Sequence, residues 1–85
     1  MSITREEEKS IVPDRDEART TYAQLLLERI RQDSHPSATH MTILEQTIPQ
    51  EMVGDYVDVL LEKVFADESP SITMLRRLER MTRRM

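Results

Sequence analysis

Three observations predict an all-α fold of four helices, arranged as two duplicated helix–turn–helix hairpins in a bundle-like domain. The first is composition. The 85 residues hold one glycine, one phenylalanine, two tyrosines and no tryptophan. A β-rich domain needs more turn glycines and more aromatic and β-branched residues. The second is the apolar period, which is helical in each of four segments separated by proline-containing breaks. The third is an internal similarity at an offset of 34 residues, set out below.

Residues 1–13 are expected to form a disordered, acidic tail, since Glu6, Glu7 and Glu8 fall in a stretch without a sustained apolar period. The first helix is expected over about 15–33. Pro13 and Asp14 lead into it, and Asp14, Asp16 and Glu17 suit the positive end of a helix dipole. Ala18, Tyr22, Leu25, Leu26 and Ile30 share one face and are expected inward. Asp33-Ser34-His35-Pro36-Ser37 breaks the chain, because proline cannot continue a helix yet opens one well.

The second helix is expected over about 37–48, with Met41, Leu44 and Ile48 inward. Pro49 ends it and begins the third, expected over about 50–66, where Met52, Val53, Tyr56, Val57, Leu60, Leu61 and Val64 give the strongest amphipathic pattern. Asp67-Glu68-Ser69-Pro70-Ser71 is the next break. The fourth helix, over about 70–84, carries Met74, Leu78, Met81 and Met85 inward, with Ile72 and Leu75 widening the stripe.

The two halves, about 14–48 and 49–85, align without a gap. Tyr22, Leu26, Leu27, Glu28, Asp33, Pro36, Ser37, Thr39, Leu44 and Glu45 are matched by Tyr56, Leu60, Leu61, Glu62, Asp67, Pro70, Ser71, Thr73, Leu78 and Glu79. Shared helix patterning explains the leucines. It does not explain Asp-x-x-Pro-Ser-x-Thr recurring in register, so duplication is expected. One hairpin cannot bury its apolar face alone, whereas two can bury theirs against each other. The same period occurs in tetratricopeptide repeats, but the positions where that family needs its signature residues hold Thr42, Gln46 and Pro49. The chain does not resemble that family.

The third helix is apolar over more of its circumference than one core requires. Self-association is therefore expected, as a homodimer or other homo-oligomer, with Val59, Leu61 and Phe65 at the interface. The competing expectation is that the N-terminal segment covers this face through Ile3, Ile11 and Val12. Charge is unevenly spread within a net −4. Glu45, Glu51, Asp55, Asp58, Glu62, Asp67 and Glu68 face a single base, Lys63, over residues 34–73. Arg76, Arg77, Arg80, Arg83 and Arg84 then crowd the last helix against Glu79 alone. These arginines suit a structural role against Asp58 and Glu62, contact with an acidic partner or second protomer, or contact with phosphate. The acidic neighbouring surface disfavours nucleic acid, and no cluster suits base stacking.

Chemistry finds little footing. With no cysteine there is no disulfide, no Cys-ligated zinc and no thiol nucleophile. His35 and His40 are five apart, where a helical metal pair needs three or four. Asp55, Asp58 and Glu62 form a row opposite the apolar face and are expected in solvent. Tyr22 and Tyr56 are expected to pack their rings inward and reach the surface with their hydroxyls. Gly54 stands alone and could mark a close helix crossing. No run of residues is apolar and long enough to cross a bilayer.

The expected function is that of a non-catalytic, cytoplasmic protein-interaction module, an adaptor, regulator or assembly factor, without metal or cofactor. The alternative is a small nucleic-acid-associated regulator acting through the C-terminal arginines. The partner protein's identity stays open.

Overall fold

The structure is a computed structural model and describes residues 14–85; the expected tail and its Ile3, Ile11 and Val12 anchors lie outside the described residues. Helix α1 spans Arg15–Gln32, α2 spans Ala38–Thr47, α3 spans Val53–Ala66 and α4 spans Ile72–Thr82. A short 3₁₀ turn, Gln50–Met52, leads into α3. Every expected helix is present, and no strand occurs among the described residues. None of the described helices is long and apolar enough to cross a membrane.

The helix starts follow from side-chain caps. Asp14 accepts the Glu17 N–H at 2.8 Å, Ser37 accepts that of His40 at 3.3 Å, and Ser71 accepts that of Met74 at 3.0 Å. The two Pro-Ser turns also close alike. The Asp33 N–H donates to Ile30 O and the Asp67 N–H to Val64 O, each at 3.3 Å, with both aspartates in extended backbone. The shared Asp-x-x-Pro-Ser motif thus produces the same stop and restart twice.

Helix α1 packs on α2, and α3 packs on α4. The two hairpins meet where α1 crosses to α3. These two helices run in the same direction: Gln24 and Leu27 border one crevice with Met52 and Asp55 at the start of α3. Near the other end, the Lys63 ammonium of α3 donates to the Arg31 carbonyl of α1. The core comprises Ala23, Leu27 and Ile30 of α1, Met41 and Leu44 of α2, the linker Ile48 and Met52, Val53, Tyr56, Val57, Val59 and Leu60 of α3, and Met81 of α4.

Several expected core positions are exposed. Ala18 and Leu25 of α1 face solvent, and Tyr22 is 46% exposed. The apolar period places them together on one side of α1, but no element of the described chain covers that side. Ile72, Leu75 and Met85, expected inward, are exposed for the same reason. Conversely, Val59, expected at an interface, is buried in the chain's own core because α1 packs against that side of α3. Gly54 marks no close crossing, since a Cβ there would meet nothing within 4 Å.

Candidate interaction surface

The arginine-rich helix is anchored by a buried acid. Glu45 on α2 and Arg77 on α4 each occupy the apolar stripe of their helix, Glu45 between Met41 and Ile48, and Arg77 between Met74 and Met81. Their side chains are only 12% and 7% exposed, and the Arg77 Nη1 donates to Glu45 Oε2 at 2.7 Å. The fully buried Tyr56 of α3 donates its hydroxyl to the same oxygen at 2.6 Å. One carboxylate oxygen thus ties three helices together. Burial first, and then the adjacent Glu45 carboxylate, holds the Tyr56 phenol well above its ordinary ionisation range. The hydroxyl therefore ends on an internal acceptor, not at the surface as expected.

The other arginines arrange around this point. Arg80 approaches Glu45 Oε1 at 3.6 Å while 60% exposed, and Arg84 donates to the Glu45 carbonyl at 2.9 Å. Gln50 donates in turn to the Arg84 carbonyl, tying the C-terminus to the linker. Arg83 pairs with Glu79 one turn earlier, at 3.3 Å. Arg76 is exposed and makes no ion pair among the described residues. The expected partners Asp58 and Glu62 take part in none of these pairs and stay in solvent, as does Asp55. The acids that do take part, Glu45 and Glu79, stand 34 residues apart, and the expectations above gave neither a role. Opposite charges on two apolar stripes were the available signal for Glu45 and Arg77.

A cleft of about 330 Å³ opens between the two Pro-Ser turns, walled by Pro36, Met41, Val64, Pro70 and Met74, with Arg77 also in its lining. Lys63 and Asp67 border it with opposite charges. His35 lies in the exposed turn beside it, and His40 is half-buried. The His40 Nδ1 and Arg77 Nε are buried without hydrogen-bond partners among the described residues. The described residues contain no cluster of three potential metal ligands.

The largest apolar exposure among the described residues lies elsewhere. Phe65, near the end of α3, is 83% exposed, and Leu61, one turn before it, is half-buried against the core. On α1, Leu25 is 66% exposed beside Tyr22. Of the three residues expected at an interface, Leu61 and Phe65 therefore stand on the surface and Val59 does not. Comparison with known protein families, curated proteins and solved structures finds no match. The class that fold and surface define is a small all-helical protein with large apolar side chains exposed on three of its helices.

Proposed function

We propose that this chain is a non-catalytic, cytoplasmic protein-interaction module, built by duplication of one helical hairpin and self-associating through α3. The observation that carries the reading is Phe65. It is the chain's one phenylalanine, and it stands 83% exposed, with Leu61 beside it on the same side of the helix. Covering a phenylalanine side chain is worth about 1.5–3 kcal/mol, enough for a few such residues to drive association. The similar turns at Asp33–Ser37 and Asp67–Ser71 support duplication, since the matched residues make matched hydrogen bonds.

The nucleic-acid reading has less support. Arg77 is committed to Glu45 inside the fold, and Arg80 and Arg84 are drawn toward the same residue. Arg76 and Arg83 alone make a small phosphate footprint. Sedimentation or light scattering of the purified protein at tens of micromolar tests the proposal. A mass above one chain, falling to one chain when Leu61 and Phe65 are both changed to alanine, is expected. A one-chain mass for the unmodified protein refutes it.

A further inference from the structure

The two hairpins align residue by residue, yet their matched faces are not equally covered. On α3, Met52, Tyr56 and Val59 are 7%, 0% and 1% exposed, Met52 beside the crevice with α1 and Tyr56 reaching Glu45 of α2. The residues of α1 at the same alignment positions are Ala18, Tyr22 and Leu25. They are of similar apolar character and are all exposed, Tyr22 by 46% and Leu25 by 66%. The side of α1 that covers α3 carries Leu27 and Arg31, both bordering the crevice shared with Met52 and Asp55. The matched residues of α3 are Leu61, only partly buried against the core, and Phe65, which is 83% exposed. The chain thus ends in two unlike apolar faces, an acceptor on α1 and a donor on α3. Each is the unused counterpart of a contact already made between the hairpins.

We infer that a second copy of this chain docks head to tail, its α1 face (Ala18, Tyr22, Leu25) lying under the α3 face (Leu61, Phe65) as α3 lies under α1 within one chain. The inference rests on the proposal that α3 mediates self-association, and it names the surface that α3 meets. The occupant is argued from the internal contact itself. That contact shows that a helix bearing this pattern covers a helix bearing the other, the two running parallel. Lys63 donates to the Arg31 carbonyl in the internal contact, and the matched groups on the free faces are Arg29 and the Phe65 carbonyl, so docking can repeat that hydrogen bond. Stacks of helical repeats remain soluble as single units when their outer faces are polar. Here both outer faces carry large apolar side chains instead. A contact between unlike faces repeats into an open stack or closes into a ring, unlike a two-fold dimer.

Two substitutions at exposed positions separate the possibilities. Leu25→Asp spoils the acceptor face, and Phe65→Asp spoils the donor face. Each is expected to weaken association by about 30-fold or more, the size of an interface hot spot, with far-UV circular dichroism unchanged. Head-to-tail docking requires that each variant alone sediment as one chain. It also requires that an equimolar mixture form a 1:1 particle of two chains, because each supplies the face the other lacks. If L25D assembles like the unmodified protein while F65D does not, association through α3 stands and the head-to-tail geometry is overturned. If both variants dissociate and their mixture does not pair, the geometry is overturned as well. A one-chain mass for the unmodified protein, or undiminished assembly of F65D, overturns both.

Discussion

Replacing Glu45 by alanine should come close to unfolding the protein. The carboxylate compensates Arg77, whose side chain is 7% exposed, and accepts the hydroxyl of Tyr56, which is fully buried. Removing one member of a buried ion pair costs about 3–5 kcal/mol, because the remaining charge is left in a medium that solvates it poorly. The orphaned Tyr56 hydroxyl adds about 1–3 kcal/mol, although the two penalties share one site and overlap. The attraction lost to Arg80 is small, since that residue is 60% exposed and 3.6 Å away. A domain of this size has about 4–13 kcal/mol of stability in total. Glu45→Ala should therefore remove at least about 3 kcal/mol, measured as the drop in urea midpoint by far-UV circular dichroism. Replacing the group together, with Glu45→Leu, Arg77→Met and Tyr56→Phe, should restore most of the loss, because apolar side chains of similar volume need no compensation. A loss below about 1 kcal/mol for Glu45→Ala would refute the claim that this carboxylate is what Arg77 and Tyr56 depend on.

Alkaline unfolding should carry the signature of Tyr56. Its folded ionisation lies above the unfolded value of about 10, so the contribution is whole below that pH and declines above it by up to about 1.4 kcal/mol per pH unit; Tyr56→Phe should flatten that slope in a urea-by-pH series. Ser37→Ala and Ser71→Ala should each cost about 0.5–2 kcal/mol, since each removes the acceptor for a first-turn N–H. Gly54→Ala should raise the thermal midpoint, gaining up to about 1 kcal/mol, because the site is helical and open. Arg76→Gln should change stability by less than about 0.5 kcal/mol, whereas Arg77→Gln should cost several times that.

The helices and their ends were legible because their causes are local. Caps, prolines and the apolar period act within a few residues of one another, so the break at Asp33–Ser37 announces its geometry wherever the chain goes next. Coverage is different in kind. The pattern Ala18, Tyr22, Leu25 says that one side of α1 is apolar, and the same reasoning on Tyr56 and Val59 says the same of α3. Which of the two sides receives a neighbour depends on the order in which the hairpins stack, and periodicity contains nothing about that order. Val59 and Tyr22 were therefore misplaced in opposite directions. The Glu45–Arg77 pair was missed for a related reason. Its members are 32 residues apart, and each alone reads as a charge that happens to border an apolar stripe.

The buried pair also bears on why two such similar hairpins adopt one arrangement. Helices α2 and α4 share an apolar pattern, with Met41 matched by Leu75 and Leu44 by Leu78. Apolar patterning alone would leave exchanging their places nearly neutral. The polar residues break that symmetry. Glu45 has a matched acid in Glu79, but Arg77 is matched by Ile43 and Tyr56 by the exposed Tyr22. In the observed order the buried acid meets a guanidinium and a phenol. With α2 and α4 exchanged, Glu79 would be buried opposite Ile43, an uncompensated charge costing several kcal/mol. The same ion pair that adds little net stability over an apolar substitute can thus penalise the wrong stacking order. The variant with Leu, Met and Phe at these three sites isolates that role. It should retain stability while losing uniqueness, seen as broadened amide resonances in place of one sharp set. A single sharp set would assign the choice of arrangement to the apolar core and turns instead.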